Sequence, residues 1–178
     1  MNPYVIRFGI FAGLIVAVPM LAWFLTLPAD AGDAGGVVQG YIVMLLALSM
    51  IFIGTRQYRD RALGGVIRFA PALLVGLGIS AVAGLFYVVA WEVSLAFGKF
   101  DFVAFYSNSM IEKARAAGAS PEVIAAETVK AAEFTRMYAN PLFRVPMTFL
   151  EIFPIGVLVS LISAALLRNS RFLPARVN

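Results

Sequence analysis

The sequence predicts an all-α membrane protein of four transmembrane helices, with an extracytoplasmic helical hairpin between the third and the fourth. Three observations carry this prediction. Hydrophobic residues make up 61% of the 178-residue chain and charged residues only 13%. Soluble domains carry roughly 25% charged residues, and so few charges cannot cover a water-facing surface. Four apolar stretches each supply the roughly 20 helical residues that cross a hydrocarbon core of about 30 Å. Residues 98–142, between the third and fourth stretches, form a charge-rich segment too long for a simple connector. The whole of 1–178 reads as a single transmembrane domain.

The first span runs from about residue 6 to 27 and contains Pro19, which a membrane helix tolerates as a kink. It stops at Pro28, ahead of Asp30, Gly32 and Asp33. Ala29-Asp30-Ala31 resembles a signal-peptidase site. The apolar run before it is longer than a signal core, and a second span follows directly, so a membrane hairpin is the better reading. The second span covers about 36–55 and ends at Arg56-Gln57-Tyr58-Arg59-Asp60-Arg61. The third covers about 69–97, with Pro71 in the first turn, where no hydrogen bond is lost. Gly98 and Lys99 form its C-terminal stop. The fourth covers about 143–167, is interrupted by Pro146 and Pro154, and ends at Arg168.

Basic residues in short loops set orientation. Arg7, Arg56, Arg59, Arg61, Arg68, Arg168, Arg171 and Arg176 fall on one side. The loop between the first two spans has none. The five bases of 98–142 (Lys99, Lys113, Arg115, Lys130, Arg136) are matched by Asp101, Glu112, Glu122, Glu127 and Glu133. Both termini are therefore expected in the cytoplasm. The net charge of +4 then reports topology and attraction to anionic headgroups, and nucleic acid is not an expected partner.

The 98–142 segment has two halves separated by Gly118. The first mixes Phe102, Phe105, Tyr106, Met110 and Ile111 with polar residues. The second opens on Ser120-Pro121-Glu122, an N-cap, a first-position proline and an acid at the positive end of the helix dipole. Glu127 and Lys130 form an i,i+3 pair, and the helix should run to Tyr138. This hairpin either caps the bundle or serves as a lid or docking surface. Its aromatic cluster near Phe100 has a simpler reading as well, rest in the lipid interface.

The chain has no His and no Cys. That excludes imidazole or thiolate metal sites, bis-histidine haem, Ser–His–Asp and Cys–His catalysis, and disulfides. No catalytic motif, cofactor or metal is expected. Glu92 and Glu151 are the acids inside the spans, and an intramembrane charge costs about 2.5–3.5 kcal/mol on insertion scales. Both fall in the extracytoplasmic half, at depths about 5 Å apart by helical rise. Face to face they would make a proton or cation site. The structural readings are an interfacial belt with Tyr87 and Trp91 around Glu92, or an ion pair of Arg144 with Glu92 or Glu151. Pro154 frees the carbonyl of Leu150, beside Glu151.

Small residues at four-residue spacing occur at Gly9/Gly13, Gly36/Gly40, Gly76/Ser80/Gly84 and Gly156/Ser160/Ala164, a pattern that lets helices approach closely. The last two predict that the third and fourth spans pack together, bringing Glu92 and Glu151 to one interface. Arg56, Tyr58, Arg59, Asp60 and Arg61 read as contacts for lipid headgroups or an acidic partner. Gly64-Gly65 reads as the turn before the third span.

The stretch from Gly40 to Gly78, with Tyr41, Met44, Gly54, Tyr58-Arg59-Asp60, Gly64-Gly65, Ile67 and Phe69, resembles a bacterial membrane family called domain of unknown function 4199. Glu151-Ile152-Phe153-Pro154-Ile155-Gly156 and Ser160-Leu161-Ile162-Ser163-Ala164 are similar to that family's closing helix. The resemblance implies a small four-helix protein of the bacterial inner membrane. It implies no activity and licenses no catalytic residue. Two classes of function follow. The first is a non-enzymatic structural, interaction or accessory subunit, whose partners are the lipid bilayer and a second copy or another membrane protein. The alternative is a small oligomeric transporter or proton- or cation-coupled carrier using Glu92 and Glu151.

Overall fold

The computed structural model describes residues 2–28 and 36–175, except for the side chains of 36 and 37. The Ala29-Asp30-Ala31 segment, Asp33 and Arg176 lie outside the described residues, as does any side-chain contact made at residue 36. Among the described residues there are six α-helices and no strand: α1 (Pro3–Thr26), α2 (Gly36–Ala62), α3 (Phe69–Phe97), α4 (Phe102–Ala116), α5 (Pro121–Tyr138) and α6 (Pro141–Leu167). Four of them, α1, α2, α3 and α6, are long and apolar enough to cross a membrane.

The helix ends follow from local chemistry. Asn2 caps α1 by accepting from the Tyr4 amide at 3.0 Å, and Asn140 caps α6 by accepting from the Leu142 amide at 3.0 Å. Each is followed by proline at the first helical position, where the missing amide costs nothing. The second helix does not end at Thr55. It continues through the basic run to Ala62, because Arg56 and Asp60 bridge one turn at 3.4 Å and arginines suit the negative end of the helix dipole. Gly64 and Gly65 then turn the chain with φ of +64° and +92°, values that favour glycine.

Gly98 ends α3, but in an extended conformation rather than a left-handed one. A Cβ there would lie 3.2 Å from the Phe24 carbonyl of α1 and would overlap the Ser94 carbonyl. Glycine is used for close approach at that point. Ser120 stands at the N-cap of α5 without a side-chain capping bond.

The central helix is α3, which packs against α1, α2 and α6. Buried apolar residues recur every three or four positions: Phe8, Ala12 and Val16 on α1, Met44, Leu48 and Ile51 on α2, Val75, Ile79 and Ala83 on α3. This is the stripe that one helix face requires. The small residues act as sequence spacing suggested. Gly76 faces Ser160 and Gly156 faces Ser80, so α3 and α6 touch almost backbone to backbone. Gly9 and Gly13 do the same for α1 against Val82 and Phe86 of α3. Gly40 is different, since a Cβ there would meet nothing within 4 Å. Large apolar side chains such as Leu74, Leu85, Leu45, Leu46 and Leu158 point outward and are more than half exposed. A water-soluble surface does not carry so much apolar area, and lipid is its natural solvent.

α4 and α5 pair antiparallel, joined at Gly118 with φ +69°. Ser107 and Thr135 share a 2.9 Å hydrogen bond, and Tyr106 stacks near Phe134 with centroids 4.9 Å apart. This helical hairpin sits where α3 ends and α6 begins. We call that the hairpin end of the bundle and the opposite one the tail end.

Candidate functional site

α3 and α6 run antiparallel, so Tyr87 and Glu92 climb toward the hairpin while Arg144 and Glu151 descend from it. Two polar rungs result. On the upper rung Arg144 donates from Nε to Glu92 Oε1 at 2.7 Å and from Nη2 to Glu92 Oε2. Its Nη1 donates to the Tyr138 carbonyl at 3.1 Å, and the guanidinium lies 5.9 Å from the Tyr138 ring centroid. The fork matches the planar carboxylate and ties α3, α6 and the end of α5 together. On the lower rung the Tyr87 hydroxyl donates to Glu151 Oε2 at 2.9 Å. Among the described residues, no Lys or Arg bridges Glu151. The two acids share an interface, as the small-residue spacing suggested. They do not form one site, because Arg144 takes Glu92 and leaves Glu151 to Tyr87.

Glu151 lines a cavity of about 350 Å³ at the hairpin end. Trp23 and Phe24 of α1, Gln39 and Tyr41 of α2, and Tyr87 and Trp91 of α3 build its walls. Phe100, Phe102 and Phe105 close it from above. Phe24 and Phe102 pack edge-on against Trp91, with centroids at 5.1 and 4.8 Å, and Phe105 packs on Phe100 at 5.3 Å. The aromatic cluster near Phe100 therefore packs onto the bundle. Trp91 donates from Nε1 to the Tyr138 hydroxyl at 2.7 Å, so the same indole joins cavity wall and hairpin. Burial pushes the Tyr138 phenol above its ordinary range, in spite of the Trp91 bond that favours its ionised form. Glu122, fully exposed on α5, is held below the usual carboxylate range by the Ser120 hydroxyl and its own amide.

The tail end has a different character. Arg59 is fully buried. Its guanidinium donates from Nη1 to the Phe172 carbonyl at 2.9 Å, from Nη2 to the Leu173 carbonyl, and from Nε to Asp60 Oδ1 at 2.6 Å. It is a clasp on the C-terminal segment and is not free for headgroups. Tyr58 packs against Tyr4, with centroids 5.5 Å apart. Arg56, Asp60 and Arg61 keep access to solvent and line a shallow pocket with Gln57.

Sequence reasoning missed Trp23, Gln39 and Tyr41 as companions of Glu151, and it missed the burial of Arg59. Trp23, on the last turn of α1, carried a usable signal, since it falls at the same depth as Trp91. Nothing in the local sequence distinguishes Arg59 from Arg56 or Arg61. Among the described residues no three acids converge on a point.

No curated protein and no solved structure matches the chain. A family model described as "Protein of unknown function (DUF4199)" matches residues 7–169. That span takes in all four long helices from the second turn of α1 onward, the hairpin, and both rungs. The chain belongs to that family, domain of unknown function 4199.

Proposed function

We propose that this is a non-enzymatic accessory protein of a bacterial inner membrane, which works through what it binds and not through a reaction. Both termini lie in the cytoplasm, and the α4–α5 hairpin lies on the opposite face. The observation that carries this reading is the Arg144 fork. It neutralises Glu92, and its third donor bonds the Tyr138 carbonyl, so this ion pair is spent on holding the hairpin to the bundle. Below that rung, Gly76–Ser160 and Gly156–Ser80 leave no room between α3 and α6. A cavity covered above by Phe100, Phe102 and Phe105, with close packing of α3 and α6 below, suits capture of a ligand or partner better than passage.

One observation favours the carrier reading. Glu151 is exposed at the cavity, its hydrogen bond is to Tyr87, and Pro154 lies inside the unbroken helix three residues on, where it frees the Leu150 carbonyl. A carrier would then use Glu151 alone, in an oligomer. Proteoliposomes loaded with a pH-sensitive dye separate the two. The accessory reading expects no proton or alkali-cation flux above empty vesicles. Flux that Glu151→Gln abolishes would overturn it in favour of the carrier.

A further inference from the structure

Among the described residues, the cavity beneath α4 is lined by one charged side chain, and none of them gives it a counter-ion. Glu151 accepts from the Tyr87 hydroxyl, while Arg144, seven residues away on the same helix, spends Nε and Nη2 on Glu92 and Nη1 on the Tyr138 carbonyl. Among the described residues, no Lys or Arg lines the cavity. A carboxylate removed from bulk water needs a proton or a cation. The walls favour a cation, because Trp23, Phe24, Tyr41, Tyr87 and Trp91 surround the space and aromatic faces attract positive charge within about 6 Å of the ring.

The kind of cation follows from what else the walls offer. Calcium takes about 6–8 oxygen ligands, and magnesium demands near-octahedral oxygen geometry. Among the described residues, Glu151 is the one acid lining the cavity, and its other side-chain oxygens come from Tyr41, Tyr87 and Gln39. A zwitterionic lipid headgroup would bring a phosphate, and no base is present to meet it. The volume, about 350 Å³, falls in the range of roughly 300–1,000 Å³ for small-molecule sites. Resting on the reading of this cavity as a binding site, we propose that it takes a lipophilic organic monocation. The ligand is a primary amine or quaternary ammonium on an apolar body, with Glu151 as its counter-ion and the aromatic walls as its cage.

The test uses the full chain purified in a neutral detergent. Both tryptophans of the protein, Trp23 and Trp91, are wall residues, so intrinsic fluorescence reports occupancy. The probe is benzyltrimethylammonium, and its uncharged carbon analogue, neopentylbenzene, has nearly the same shape. Saturable quenching by the ammonium is expected, with the analogue at least tenfold weaker on the wild-type protein and the ammonium at least tenfold weaker on Glu151→Gln. Equal affinity for the two probes overturns the cation assignment and leaves an apolar binding cavity. Undiminished ammonium binding by Glu151→Gln removes Glu151 from the site and overturns it as well. Absence of saturable binding by either probe also overturns it, while the accessory reading is decided separately by the flux assay. The two-probe comparison needs no variant, so poor folding of Glu151→Gln leaves the proposal testable.

Discussion

Arg144 grips both carboxylate oxygens of Glu92 and in doing so leaves Glu151 with Tyr87 as its partner. The Arg144 and Glu92 side chains are 16% and 30% exposed, so removing one partner costs less than the roughly 3–5 kcal/mol of a fully buried pair. Arg144→Gln should lower stability by about 1–2 kcal/mol, which in a chain of this size moves the melting temperature by roughly 3–8 °C. Arg144→Lys keeps the charge but loses the fork, and it should fall between the two. Thermal unfolding followed by tryptophan fluorescence measures both.

Arg59 makes the matching prediction at the tail end. Its replacement by Ala removes three charge-assisted hydrogen bonds, two of them to carbonyls of Phe172 and Leu173. Hydrogen bonds to charged groups contribute about 1.5–3 kcal/mol each when buried. The tail should come loose, and limited trypsin digestion should cut after Arg168 and Arg171 several-fold faster. Arg59→Lys should not restore protection, since an ammonium cannot span the two carbonyls as a guanidinium does.

A third prediction concerns close packing. A Cβ on Gly156 would overlap the Ser80 side chain. Gly156→Ala should therefore cost about 1–3 kcal/mol of overpacking. Ser80→Gly in the same protein should recover most of that loss, because the clash is with one side chain and the Ser80 hydroxyl has no hydrogen-bond partner. Melting temperatures of the single and double variants form the test.

Topology can be read directly, because the chain has no Cys and each introduced thiol is alone. Ala117→Cys, at the tip of the hairpin, should react with a membrane-impermeant maleimide in intact spheroplasts. Leu63→Cys, between α2 and α3, should react after permeabilisation only. The reverse pattern would place the termini on the opposite face.

The four long helices were legible because apolar runs of this length are a local property of the sequence, and in lipid a single such run satisfies its own backbone as a helix. The start of α3 at Phe69 and the end of α5 at Tyr138 were legible for the same kind of reason, local and set by proline, glycine and caps. The Gly–Ser contacts between α3 and α6 were legible from four-residue spacing. The pairing of Arg144 was not, since Glu92 and Glu151 both lie within its reach on paper. Which one it takes depends on the register of α3 against α6. The cavity was hidden for a related reason: its wall collects Trp23, Gln39, Tyr41 and Phe102 from three helices, and no local pattern joins them. Arg59 looked like its neighbours because burial there is imposed by residues 172 and 173, more than a hundred positions away.

On the proposed reading Glu92 and Glu151 do different work, structure for the first and binding for the second. Side-by-side thermal unfolding of Glu92→Gln and Glu151→Gln in one detergent tests that division most directly. Glu92→Gln strips Arg144 of its counter-charge and should lower the melting temperature by roughly 3–8 °C. Glu151→Gln keeps an oxygen to accept from Tyr87 and should stay within about 2 °C of the wild type. A large loss for Glu151→Gln beside a silent Glu92→Gln would contradict the division.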